Sequence, residues 1–240
     1  MNSLLQIEID KIKEISDPRE MQLNAKKTYL FIVNFTKNHQ FKPLFKIPGE
    51  TDCLEVVQET KLLGYWLTSD MKPHKQVKYI LSIVNKNFWA IPKLKRAGVS
   101  DKDIIFFYIM KIRSVLETSA VVFHSMLNNE NTCDLERVQK NVVRTVMGRR
   151  HVSYEASLEF LQLETLEERR EQICLTFALK CLASRKFNHL FEPVPLTCHN
   201  LRETRKLFEP TCQTERYRNS PLVYLTRMLN NYHSTKDGKT

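Results

Sequence analysis

Apolar positions recur along this chain with two different periods, and the change from one to the other comes near residue 70. Before it, Leu5, Ile9 and Ile12 keep the spacing of a helix face, Ser3 and Gln6 have the spacing of a capping box, and Asp17-Pro18 ends the run. Tyr29-Leu30-Phe31-Ile32-Val33-Asn34-Phe35 is a β-branched and aromatic run that predicts a buried strand. Leu44-Phe45-Lys46-Ile47, the turn-forming Pro48-Gly49 and Leu54-Glu55-Val56-Val57 predict a small hairpin unit. Lys61 to Leu67 predicts a further strand, with Gly64 permitting close backbone approach.

From Pro73 onward the period is helical throughout. Val77, Ile80, Leu81, Val84 and Phe88 share a face up to Pro92. Ser100 and Asp103 cap the next helix, which runs through Ile105, Tyr108, Ile112, Val115 and Leu116 towards Leu127 and is apolar on most sides, as a central helix would be. On the helix after it, Leu135, Val138, Val142 and Val146 share one face, and Arg137, Lys140 and Arg144 lie nearly opposite, with Gly148 as the stop. Ser153 to Leu161 predicts a short helix. Thr165 with Glu168 is a capping box opening a helix to about Phe187, and Leu222 to Asn230 predicts the last helix. Ser234 to Thr240 is expected to be a disordered tail.

Composition agrees with a mostly helical α+β fold. Five glycines and nine prolines in 240 residues are too few for a β-sandwich or a low-complexity chain. No uncharged apolar run is long enough to span a bilayer, and the N-terminal stretch carries Glu8 and Asp10 where a leader would be apolar. Six scattered cysteines without a CxxC pair are expected to be reduced thiols of an intracellular protein. Cys174 and Cys181, flanking Phe177, read as one core face. Cys198, His199 and Cys212 lack a fourth zinc ligand at usable spacing.

Charge changes the picture more than composition does. The net charge is +10, but from Lys72 to Arg113 ten Lys/Arg stand against two acids, a local +8. From Arg137 to Arg150 five Arg/Lys meet no acid, a local +5. The remainder of the chain is therefore net acidic, and the two basic segments are the expected site of a polyanionic partner. No Asp-Asp pair is present for two-metal chemistry, nor any GxSxG, P-loop or HExxH motif. Asp101-Lys102-Asp103 reads as the acidic first turn of a helix, and His124 as a core histidine.

Seven short stretches occur in a telling order. They are Leu23-Asn24-Ala25-Lys26-Lys27-Thr28, Lys61-Leu62-Leu63-Gly64-Tyr65-Trp66-Leu67, and Arg113-Ser114-Val115-Leu116-Glu117 with Val122 to Leu127. Leu135-Glu136-Arg137-Val138-Gln139-Lys140, Thr165 to Arg170, Phe177-Ala178 with Lys180, and Glu215 to Pro221 follow. In this order they resemble the end of the palm, the thumb and the C-terminal extension of reverse transcriptases of non-LTR (LINE-like) retrotransposons, over nearly the whole chain.

The resemblance implies a palm remnant over residues 1–70, a thumb-like bundle over 71–150, a helical extension over 151–233 and a tail over 234–240. It implies an RNA-directed DNA polymerase family that uses magnesium. The aromatic-x-Asp-Asp turn of that family would stand just upstream of Leu23, where these 22 residues do not supply it. The expectation is a chain with no cofactor and no catalysis of its own, separated from fingers and palm, that binds RNA or DNA duplex without base specificity. A helical protein-interaction module, or a retroelement remnant without function, is the alternative. Lys26 or Lys27 would correspond to the lysine serving the pyrophosphate leaving group, and Lys61 and Gly64 would belong to the primer grip. Arg113, Arg137, Lys140, Arg144, Arg149 and Arg150 would meet duplex phosphates.

Overall fold

The computed structural model describes residues 2–21, 23–33, 35, 45–47, 53–194 and 207–237. It is a mostly helical α+β fold, 66% helix with a few strands in two small sheets. Two compact units make it up, Met1–Lys75 and Gln76–Thr240. The segment expected as a separate extension from residue 151 thus shares a unit with the helices before it.

The first unit opens with α1 (Asn2–Ser16), which gives way at Pro18 to a single 3₁₀ turn, Asp17–Arg19. Ser3 lies inside this helix and not at its cap. Gln6 turns elsewhere, donating to the Asp10 carboxylate at 3.0 Å and to the Lys46 carbonyl at 2.9 Å. Leu5, Ile12 and Ile15 stand exposed, so the expected apolar stripe is not a core face.

The expected buried strand over residues 29–35 is a three-residue strand, β1 (Tyr29–Phe31), with Tyr29 exposed. It pairs in parallel with β2 (Glu55–Val57), a pairing that period alone does not reveal. Lys46 and Cys53 form an isolated antiparallel bridge, and the Leu54 N–H donates to the Phe45 carbonyl at 2.8 Å. The expected hairpin therefore survives only as this return of the chain, because Glu55–Val57 is taken by β1; its Pro48-Gly49 turn lies outside the described residues.

Lys61 to Leu67 is not one strand but a hairpin, β3 (Glu59–Leu62) and β4 (Tyr65–Thr68), with Leu62 opposite Tyr65. Leu63 and Gly64 are the two turn residues, at φ 48° and 89°. Two consecutive positive values define the type I′ turn, whose twist matches that of the flanking strands. A Cβ built on Gly64 would meet nothing within 4 Å, so Gly64 serves the turn and no close approach.

The second unit is helical. It holds nearly all of α2 (His74–Phe88), then α3 (Ala90–Arg96), with Pro92 tolerated in the first turn of α3. Next, α4 (Asp101–Tyr108) is capped by Ser100, whose Oγ accepts the Asp103 N–H at 3.2 Å. It continues through one π turn (Ile109–Arg113) into α5 (Ser114–Glu117). Thr118 leaves helical geometry and Ser119 has φ 61°, so the single long helix expected to Leu127 is broken before α6 (Ala120–Phe123). One face of this composite rod, Ile104, Tyr108, Ile112, Leu116, Ala120 and Phe123, is fully buried.

Against it lies α7 (Asn129–Met147), burying Leu135, Val138, Val142 and Val146 as its spacing predicts. α8 (Tyr154–Leu161) follows, then α9 (Leu166–Ala183), opened by the reciprocal bonds of Thr165 and Glu168. α9 buries Cys174, Ala178 and Cys181, but Phe177, expected beside the two cysteines, is half exposed. The short α10 (Glu215–Arg218) leads to α11 (Pro221–Asp237), which docks on α9. It extends four residues into the expected tail. On α11 the Asn230 amide both accepts from the Leu207 N–H and donates to the Leu207 carbonyl, each at 3.0 Å.

Candidate nucleic-acid interface

α3, α4 and α7 pack on one another, and their charged ends meet at Asp101. This residue opens α4, where a carboxylate faces the positive helix end. Its two oxygens reach two different basic segments: Lys95 Nζ, from the end of α3, lies 2.6 Å from one, and Arg150 Nη2, from just past α7, meets the other. Hydrogen bonds from Lys95 and then Arg150 hold its carboxyl below the ordinary carboxylate range. The segments carrying +8 and +5 are thereby joined on one side of the helical unit, around a single acid.

The exposed face of α7 continues that surface. Lys140 and Arg144 are one helical turn apart, and Arg149 follows the helix end; all three are exposed. Among the described residues, none of the three has a carboxylate within ion-pair distance. Lys140 Nζ sits 5.1 Å from the Tyr154 ring centre, and the Arg150 guanidinium 5.6 Å from that of Phe160. Arg137, one turn before Lys140, is exposed but pairs with Asp134 at 2.8 Å. From His74 to Ser100 the chain has no acid at all, so α2 and α3 add Lys78, Lys86, Lys93 and Arg96 without an acidic neighbour in sequence.

Arg113 does not join them. Its side chain is 15% exposed and pairs with Glu117 at 3.5 Å, and Glu117 also takes Arg169 at 3.1 Å. The residues from the palm-like motifs belong to the first unit: Lys26 and Lys27 are exposed in a 3₁₀ turn, Lys61 is exposed on β3, and Gly64 is in the hairpin turn.

Beneath the α7 surface lies a buried polar chain. Gln139, fully buried, accepts from the Tyr108 hydroxyl and donates to Tyr154 Oη at 2.9 Å and to the Glu164 carbonyl at 2.8 Å. Tyr154 in turn donates to Glu136, which accepts the Leu166 N–H at the start of α9 at 3.2 Å. Burial, and then the hydrogen bond to Glu136, keep the Tyr154 hydroxyl protonated. α4, α7, α8 and α9 are thus held in fixed register, which fixes the face that Lys140 and Arg144 present.

A second buried group is not so satisfied. Arg170 on α9 is 1% exposed, and neither of its terminal nitrogens has a partner among the described residues. Its Nε lies 3.4 Å from His124 Nδ1. Burial, and then the Arg170 charge, push His124 down to about 4, so it is a neutral histidine of the interior and not a base.

Among the described residues no group of three His, Cys, Asp or Glu is placed to hold a metal ion; Cys198 and His199 lie outside them. No helix among them is long and apolar enough to cross a membrane. Comparison with known protein families, curated proteins and solved structures finds no match. Asp101 is the residue whose role the sequence conceals: its pattern reads as a helix start, and only the approach of Arg150 makes it the link between two basic segments.

Proposed function

We propose that the helical unit binds the sugar–phosphate backbone of RNA or DNA without base specificity, in the manner of a polymerase thumb, and that the chain performs no polymerase chemistry of its own. The joining of the two basic segments at Asp101 carries this reading. Lys140, Arg144 and Arg149 are the expected partners of phosphate, because they are exposed and unneutralised by any described carboxylate. The ordered motifs shared with non-LTR reverse transcriptases support the same reading, and the absence of an Asp-Asp pair from this sequence supports binding over catalysis.

Filter binding of a radiolabelled duplex over increasing salt tests it. The observed affinity falls with salt, and K140E/R144E/R149E flattens that dependence by about 0.9 in logarithmic slope for each phosphate that is no longer neutralised. Binding indifferent to salt, or none at low salt, overturns the proposal.

A protein-interaction role has one observation in its favour. A groove of about 370 Å³ lies at α9, lined by Val121, Ile173, Phe177 and Lys180 among others. Charge reversal at Arg137, Lys140 and Arg144 separates the two: it abolishes nucleic-acid binding and leaves docking of a protein in that groove unchanged.

A further inference from the structure

We infer that Trp89 is a stacking platform for an unpaired base, so that the basic surface prefers single-stranded to double-stranded nucleic acid; this deepens the proposed function and rests on it. Trp89 stands at the junction of α2 and α3 and is 58% exposed. Exposing an indole costs apolar surface, and the structure places a cation on it: Lys93 Nζ is 4.3 Å from the ring centre.

The surroundings point to a polyanion as the partner. Trp89 sits in the acid-free stretch from His74 to Ser100, one turn after the exposed Lys86 and one turn before the exposed Lys93. Farther along α3, Lys95 pairs with Asp101, which also takes Arg150 from just past α7. An apolar protein partner would meet uncompensated lysines on both sides of the ring. A nucleic-acid strand satisfies both features, with phosphates on Lys86 and Lys93 and a base on the indole.

A duplex cannot use the ring this way, because its bases are stacked within the helix and present their edges. A single strand can. Phe160 is a poorer platform: it is equally open, but Glu155 and Glu159 flank it on α8.

The probe is a dT20 oligonucleotide against a blunt 20-base-pair duplex, titrated into the full chain in a Trp66→Phe background so that Trp89 is the sole tryptophan, excited selectively over tyrosine. Quenching of Trp89 by the single strand is the expected result, with W89A weakening single-strand binding by about tenfold and duplex binding by less than twofold. W89F restores most of the single-strand affinity, which a merely structural loss would not allow. Equal losses for both ligands, or no quenching on a strand that does bind, overturn the inference while leaving the proposed function intact. Failure of the unaltered chain to bind either ligand overturns both. Circular dichroism of each variant identifies one that has lost its helices, and Trp89 quenching in the folded W66F protein then decides alone.

Discussion

Arg150 meets the Asp101 carboxylate across 49 residues of sequence, and that one pair decides that two separate basic segments form one surface. Asp101 holds Lys95 as well, at 2.6 Å, so removing its charge releases two cations at once.

Asp101→Asn is expected to cost about 1 kcal/mol of stability at neutral pH, from two half-exposed ion pairs and a first-turn acid. The folded carboxyl titrates below its unfolded value because Lys95 and Arg150 favour the charged form. Its contribution is therefore present above about pH 4 and is lost as pH falls through the folded value. Urea titrations at pH 7 and pH 3 check this: the gap between wild type and variant is smaller at the lower pH. The same variant binds nucleic acid more tightly, since one repelling charge is gone.

Gln139→Leu is expected to cost about 3 kcal/mol. The Tyr108 hydroxyl, fully buried, loses its Gln139 acceptor, and the half-buried Tyr154 hydroxyl and the Glu164 carbonyl lose their Gln139 donor. A lowered urea midpoint with an unchanged slope is the signature. Midpoints within experimental error of wild type would show that the polar chain is not what holds the four helices.

Arg170→Met is expected to be neutral or stabilising by about 1–4 kcal/mol, because a buried guanidinium whose two terminal nitrogens have no partner among the described residues is replaced by a side chain that needs none. It also moves His124. In the folded protein that ring titrates at about 4, below its unfolded value, so wild-type stability falls as pH drops from about 6.5 to 4 while the unfolded chain takes up the proton. Without the Arg170 charge the ring rises, and the acid loss shrinks. Proton NMR titration of His124 in both proteins reads this directly.

Leu63→Asn is expected to stabilise the first unit by about 0.5–1 kcal/mol, because Leu63 is 99% exposed at φ 48° and asparagine adopts that conformation at lower cost. Gly64→Ala at φ 89° is expected to cost about 1 kcal/mol through conformation alone, as no neighbour is close enough to clash. Thermal melts of the two variants are expected to shift in opposite directions.

The type and approximate place of the longer helices were legible in the linear pattern, but α3 and α10 and the division of the central helix were not. The caps at Ser100 and Thr165, the stop at Gly148 and the buried face Leu135, Val138, Val142 and Val146 are local properties of composition and period. The strands were less so. Leu62-Leu63-Gly64-Tyr65 carries a continuous apolar run, and its reversal depends on two positive φ values that a leucine does not advertise. The break at Thr118-Ser119 has no glycine or proline to announce it. Arg113 ends a basic segment, and its partner Glu117 stands one helical turn beyond that segment, where a count of charge within it does not reach.

What the sequence by itself determined is a mostly helical α+β chain with its positive charge in two segments and no pair of adjacent aspartates, because propensity, period and charge are carried by each residue wherever it ends up. Only the tertiary structure decided which cations are spent on carboxylates of another element, as Lys95 and Arg150 are, and which, like Lys140 and Arg144, are left facing solvent. It also decided that the indole of Trp89 stays open beside Lys93. Ion pairs and exposure depend on which helices approach one another, and that is settled by how the apolar faces of α3, α4, α7 and α9 bury together.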